Sequence, residues 1–176
     1  KTAYEIPKRD WSSDVCSSDL APLPPAPQSL ANSAGIFLGA AYTFDIVRPG
    51  IALYGANPVP SGANPMAEVV HLQGKIVQVR RVDANESVGY GAAFSVTSPS
   101  RIATVAAGYA DGYLRSGTGR ASAMVAGVRV PVVGRISMDL ITVDVTRVPE
   151  AAAVPGADVD LIGNGIGLDE VRSEEH

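Results

Sequence analysis

From Met66 onward the chain alternates between apolar and polar residues in short runs. VVHLQGKIVQVRRV, SVGYGAAFSV, RIATVAAGY, ASAMVAGVRVPVVGRISMDLITVDVT and DVDLIG all favour β-branched residues with a period of two. Successive side chains of a strand point to opposite faces. In DLITVDVT, Ile141, Val143 and Val145 therefore share one face, and Leu140, Thr142, Asp144 and Thr146 share the other. In KIVQVRRV, Ile76, Val77, Val79 and Val82 stand among polar residues. Gly-rich breaks fall about every ten to fifteen residues, the spacing of a mostly antiparallel all-β barrel or sandwich. The pattern predicts such a β-domain over residues 66–171.

Ahead of it the pattern differs. APLPPAPQ, residues 21–28, is too rich in proline for regular helix. In SLANSAGIFLGAAYTFDIVRPGIALYGANP the apolar runs IVRPG and IALYG are short and broken by Pro and Gly. They read as short strands and a helical turn. NPVPSGANP, residues 57–65, is dense in Pro, Gly and Asn and predicts a linker at 58–65. The chain thus reads as the end of one architecture (residues 21–57), a linker and most of a β-domain, with no internal repeat.

The first twenty residues fit neither part. WSSDVCSSDL, residues 11–20, holds the only Trp and the only Cys of the chain and has no hydrophobic period. A polar disordered tail is one reading. A secretion signal is excluded, because the required apolar stretch is absent. The favoured reading is a translated sequencing adapter. DWSSDVCSSDL back-translates to a string resembling a common adapter, and KTAYEI resembles the upstream part of the same oligonucleotide. RSEEH, residues 172–176, is encoded by the reverse complement of that adapter's end. Residues 1–20 and 172–176 are accordingly expected to be read-through, and the β-domain to be truncated.

Setting those ends aside changes the composition. Of 14 basic and 18 acidic residues, 10 and 12 remain. A balance so close to neutral offers no electrostatic case for nucleic acid or an anionic membrane. No Cys remains, which fits a cytoplasmic protein and excludes a disulfide scaffold. His71 is the one remaining histidine, so no zinc site is expected. No apolar run approaches the ~18 residues of a membrane helix.

Several short stretches place reactive groups beside small residues. NSAG, residues 32–35, and VRPGI, residues 47–51, set Ser33 and the N–H groups of Gly50 and Ile51 where an anion can approach. Two ordinary turns would look the same. Arg48 precedes a proline, is held extended, and projects from a strand end; a plain surface arginine is the alternative. Tyr90 lies between two glycines in VGYGA, and Tyr109 follows one in AAGYADGY. Glycine beside tyrosine lets a ligand or a second backbone come close, and a tyrosine with a lowered pKa serves as acid and base. An aromatic wedged in a β-turn is the bland equivalent. GRISMDL brings Arg135, Met138 and Asp139 together.

Taken in order, NSAG, VRPGIALYG, VGYGA, IATVAAGYADGY and PVVGRISMDL resemble the C-terminal half of the alanine racemase family, from Ala31 to about Gly163. The resemblance implies an eight-stranded α/β barrel that holds pyridoxal 5'-phosphate, followed by a C-terminal β-domain. Residues 21–57 would end the barrel. It implies a homodimer with shared active sites that interconverts L-alanine and D-alanine by two-base proton transfer on a pyridoxal phosphate aldimine, supplying D-alanine for peptidoglycan in the cytoplasm. By the same resemblance Ser33, Gly50 and Ile51 bind the cofactor phosphate, and Arg48 contacts the pyridine nitrogen. Tyr90 is the catalytic tyrosine, Tyr109 narrows the pocket, the Met138 N–H meets the substrate carboxylate, and Arg135 and Asp139 lie at the entrance. A serine or broad-specificity racemase of the same fold, or a non-catalytic β-domain that binds a partner chain, are the alternatives.

The departures are specific. The family's cofactor lysine belongs to a motif absent here, and Lys75, in the β-domain, has no reason to replace it. Leu30 stands where family members often have His. The chain alone is therefore expected to be inactive. The adapter reading predicts that the nucleotide sequence under residues 1–20 and 172–176 matches the adapter base for base, silent positions included; any other codons there would make the tails genuine protein.

Overall fold

A computed structural model describes residues 26–59 and 61–173. The adapter reading of residues 1–20 and 174–176 lies outside the described residues. The chain divides into two compact units, Lys1–Pro49 and Gly50–His176.

In the first unit Asn32 caps a one-turn helix, α1 (Ser33–Ile36), its Oδ1 accepting from the Gly35 N–H at 2.9 Å. Asparagine is favoured there because its side chain satisfies an N–H that the helix itself leaves unpaired. Asn32 also bridges to Arg48 in parallel, and the Arg48 N–H donates to the Ala31 carbonyl at 2.8 Å. Parallel neighbours of this kind are the pairing of an α/β barrel.

The second unit is built on eight strands. These are β1 (Leu72–Val82), β2 (Ser87–Val88), β3 (Phe94–Ser95), β4 (Ser100–Ala106), β5 (Ser122–Val125), β6 (Val128–Pro131), β7 (Leu140–Asp144) and β8 (Asp158–Ile162). A short helix, α2 (Leu168–Ser173), follows, and it includes Arg172. Six strands form one antiparallel sheet in the order β6-β5-β8-β1-β4-β7. Ala126 and Gly127 turn β5 into β6 with φ of 50° and 77°. Two left-handed residues are what a two-residue hairpin needs to match the strand twist. The sheet curls until its outer strands meet. Just past β6, Val132 bridges to Val143 of β7, and the Val133 N–H donates to the Thr142 carbonyl at 2.9 Å. Of the two expected β architectures, this is the curled, barrel-like one.

The core fills the inside of the curl. Ile76, Val105, Val125, Val130, Val159 and Leu161 are buried there, as are Ile141, Val143 and Val145 on the predicted face of β7. A smaller cluster of Val88, Val96, Ile102 and Val133 lies under the β2–β3 hairpin. In β1 the period of two slips. The register jumps from Ile76 opposite Val105 to Gln78 opposite Thr104, so Val77 is the extra residue of a bulge. Val77 is consequently 50% exposed while Ile76 is buried, although both are β-branched neighbours in one run.

The residues read as a linker are held by side chains. Asn57 Oδ1 accepts from the Val59 N–H and Asn64 Oδ1 from the Met66 N–H, each at 2.9 Å. These asparagine turns supply the backbone partners that a Pro-rich stretch cannot find in regular structure. Unfolding by urea should therefore treat two apolar residues differently. Leu161→Ala, in the closed core, is expected to cost about 2–5 kcal/mol. Val77→Thr, on the bulge, should stay within about 0.5 kcal/mol. Equal losses at both sites would contradict the bulge.

Candidate active site

Glycine geometry places the two flanked tyrosines. Tyr90 opens a 3-10 turn, Tyr90–Ala92, at the tip of the β2–β3 hairpin. Gly89 and Gly91 on either side have φ of 82° and 69°, a region that side-chain-bearing residues rarely adopt. A Cβ on Gly89 would sit 3.1 Å from Arg135 N and 3.2 Å from Gly134 Cα; one on Gly134 would sit 3.0 Å from the Val88 carbonyl oxygen. The two backbones thus lie against each other with no side chain between. Tyr90 is 78% exposed beyond this contact. Arg135, also exposed, is its neighbour across the two loops.

Tyr109 is placed by a second approach of the same kind. Gly108 is extended, so its backbone angles alone would admit any residue. Space is what excludes a side chain. A Cβ there would fall inside the Met138 carbonyl and 2.6 Å from Asp139 N. The Tyr109 N–H donates to the Ser137 carbonyl at 3.1 Å and the Ala110 N–H to the Met138 carbonyl at 2.9 Å. Asp111 Oδ2 accepts from the Gly108 N–H at 2.9 Å and tightens the turn. Tyr109 and Met138 are brought together by these bonds, both exposed. The Met138 N–H itself donates to no acceptor among the described residues. Ser137 and Leu140 close the loop around it, with the Ser137 N–H donating to the Leu140 carbonyl at 3.0 Å and the Leu140 N–H to Ser137 Oγ at 3.1 Å. Asp139 is exposed in the same loop.

One residue near this site escaped the sequence reading. The Arg115 guanidinium lies over the Tyr109 ring, 5.7 Å from its centroid. That is within range for a cation–π attraction. Arg115 sits in its own 3-10 turn, Arg115–Gly117. An arginine six positions past a Gly-flanked tyrosine, with a glycine turn between, is the only signal that could have indicated it.

The phosphate candidates are placed as follows. Ser33 is the one buried polar side chain among the described residues, on the first turn of α1. Arg48 is exposed, and its Nη2 donates to the Leu30 carbonyl at 3.1 Å. In the second unit Gly50 leads into a 3-10 turn, Ile51–Tyr54, closed by the Leu53 N–H on the Gly50 carbonyl at 3.0 Å. Gly55 ends that turn with φ of 85°, and a Cβ on it would meet the Ala67 carbonyl oxygen at 2.5 Å.

The family model described as "Alanine racemase, C-terminal domain" matches residues 69–175, more than half of the chain. The chain belongs to the alanine racemase family. The model "Alanine racemase, N-terminal domain" matches residues 14–58, beginning within the first twenty residues. The alanine racemase of Methylobacterium nodulans is 57% identical over 148 residues, covering 84% of this chain and 40% of that protein. That of Rhodospirillum rubrum is 58% identical over 141 residues, covering 80% and 38%. Among solved structures, alanine racemase from Bartonella henselae with covalently bound pyridoxal phosphate superposes with a TM-score of 0.79. It shares 42% identity, covering 89% of this chain and 43% of that one. The chain thus spans about two fifths of the length of the alanine racemases it matches.

The Gly108 contact yields a direct prediction. Gly108→Ala should push the 109–111 turn off the 137–139 loop and destabilise the β-unit by about 1–3 kcal/mol, the usual cost of overpacking. Amide exchange at Ala110, measured by NMR, should rise in the same variant. An unchanged Ala110 amide would mean the two backbones are not in contact.

Proposed function

We propose that this chain supplies the C-terminal-domain functions of an alanine racemase, interconverting L-alanine and D-alanine with pyridoxal phosphate. The observation that carries the reading is the 134–139 loop, which takes the Tyr90 hairpin on one glycine contact and the Tyr109 turn on another. A proton carrier, an aromatic wall and an open N–H donor are thereby fixed on one short stretch of backbone.

The donor set fits an anionic cofactor. Ser33 offers a hydroxyl in a buried position and Ile51 an N–H at the start of its turn. No carboxylate occurs in residues 31–36 or 48–55. Ser33, Gly50 and Ile51 would hold the cofactor phosphate, and Arg48 would face the ring nitrogen. Bound pyridoxal phosphate supplies the electron sink that acidifies the substrate Cα. A guanidinium stays charged and only donates, so Arg48 leaves the ring nitrogen unprotonated. That restrains the sink and favours simple return of the proton over transamination.

Racemisation needs a base on each face of Cα. The Tyr90 phenol carries the proton on one face. Its exposure on a glycine-hinged tip suits a group that must reach out of its own domain, here toward the barrel of a second subunit. The Met138 N–H orients the substrate carboxylate, and the Tyr109 ring, backed by Arg115, limits the side chain to about a methyl. Arg135 and Asp139 line the entrance. The second base is a lysine in this family, and Lys75 does not serve. It lies on the outside of β1, paired with Asp158 at 2.6 Å. The assembly would be a cytoplasmic homodimer that provides D-alanine for peptidoglycan. The chain on its own should not racemise alanine, even with added cofactor.

The test is a chimera in which the matched region of this chain replaces that of the Rhodospirillum rubrum enzyme. It should racemise alanine in preference to serine and lysine. Tyr90→Phe should lower kcat by about 100-fold or more, the usual worth of a positioned acid–base group. A folded, cofactor-loaded chimera that prefers serine points to the serine racemase reading. One with no racemisation of any amino acid leaves a binding module.

A further inference from the structure

Asp169 stands 112 residues from Asn57 in sequence, yet both its carboxylate oxygens accept from the Asn57 N–H, Oδ1 at 3.1 Å and Oδ2 at 2.8 Å. Oδ2 also accepts from Asn64 Nδ2 at 3.3 Å. The same Asn64 Nδ2 donates to the Gly55 carbonyl at 2.9 Å, while Asn57 Nδ2 donates to the Gly62 carbonyl at 2.9 Å. One carboxylate on α2 therefore gathers both asparagines of the NPVPSGANP stretch. Through Asn64 it reaches Gly55, the residue that ends the Ile51–Tyr54 turn. Gly55 is pressed against Ala67 on its other side, with no room there for a Cβ. Arg172 Nη2 lies 3.3 Å from Asp169 Oδ1 on the same helix, so the carboxylate that holds Asn57 is also ion-paired within α2.

We propose that Asp169 is a positioning residue for the 50–55 turn: its carboxylate clamps the segment that follows the turn and so fixes the N–H groups of Gly50 and Ile51. The proposal rests on the reading of those two residues as cofactor-phosphate donors. A charged acceptor is suited to the task. Hydrogen bonds to a carboxylate are stronger than neutral ones, and the Pro-rich segment offers its few N–H groups no ladder of their own. The phosphate turn then depends on a helix formed more than a hundred residues later, since Asp169 lies 112 positions past Asn57. Folding of the β-unit would be what completes the turn.

Amide exchange on the 176-residue chain tests the clamp. Asp169→Ala should speed exchange at Gly55, Asn57 and Met66 by about 10-fold while Ile76 and Val105 stay protected, as local opening predicts. Glu170→Ala removes the neighbouring pair with Arg129, at 2.6 Å on the same helix, and should leave those three amides unchanged. Equal effects of the two substitutions would mean that only helix docking matters, and would overturn the clamp. In the chimera, Asp169→Ala should weaken binding of pyridoxal phosphate by about 10-fold and of pyridoxal, which lacks the phosphate, hardly at all. Equal weakening of both overturns the positioning role. If the unsubstituted chimera itself does not prefer pyridoxal phosphate to pyridoxal, the phosphate reading of Gly50 and Ile51 fails, and the positioning role with it, whatever the exchange data say of the clamp.

Discussion

The 134–139 loop is crossed twice by bare backbone, and the placement of Tyr90 and Tyr109 depends on those crossings. At Gly89 and Gly134 two glycines face each other; at Gly108 a single glycine lies on the Met138 carbonyl. A methyl group at Gly108 would occupy space the opposite chain already fills, and at Gly89 or Gly134 it would crowd a neighbour that has little room to give. The loop is itself fixed at both ends by the sheet. Val133 is bonded to Thr142 where the curl closes, and β7 begins at Leu140, directly after Asp139. Closure of the sheet therefore comes first. It sets the loop, and the loop sets Tyr90 and Tyr109. The energy of this arrangement lies in the apolar core, where Ile141, Val143 and Val145 lock β7 to the interior. Surface pairs such as Lys75–Asp158 add little by comparison.

The same hierarchy explains what could be read from the residues. The face of β7 was legible because three valine-type positions alternate with polar ones and nothing interrupts the strand. In β1 the identical reasoning slips at Val77, because a bulge is a property of the pairing partner, β4, and leaves no mark in the run KIVQVRRV. The barrel-like closure was legible only as a pair of options. One isolated bridge between Val132 and Val143 separates them, and no local pattern encodes it. The Gly-flanked tyrosines announced close approaches without saying to what; the partner, residues 134–139, lies 25 or more positions away. Asp169 is the extreme case. A carboxylate in the first turn of a short helix looks like ordinary dipole compensation, and its bonds to Asn57 and Asn64 are invisible until the chain is folded.

In the NPVPSGANP stretch, composition speaks to regular structure and leaves order open. Proline and glycine do forbid helix and strand there. They do not forbid structure. Asn57 and Asn64 each accept from the backbone N–H two residues on, and each donates through Nδ2 to a backbone carbonyl. What composition marks as a connection is a stretch whose hydrogen bonds come from side chains in place of a ladder. A segment built this way is stiff only while its external acceptor, Asp169, is in place.

Lysine is the remaining constraint. A two-base mechanism with tyrosine on one face requires a different group on the other, and an amine that can lose its charge suits it best. Lys75 fails on grounds that do not depend on any relative. It projects from the exposed face of β1, opposite Ile76, and is paired there with Asp158. The residues of this chain are, by contrast, nearly all donors or neutral groups at the proposed site: a serine hydroxyl, backbone N–H groups, three guanidinium ions and two phenols, with Asp139 at the entrance the exception. On the proposed reading such a set would bind anions and move a single proton, and would leave the covalent step to an amine other than Lys75.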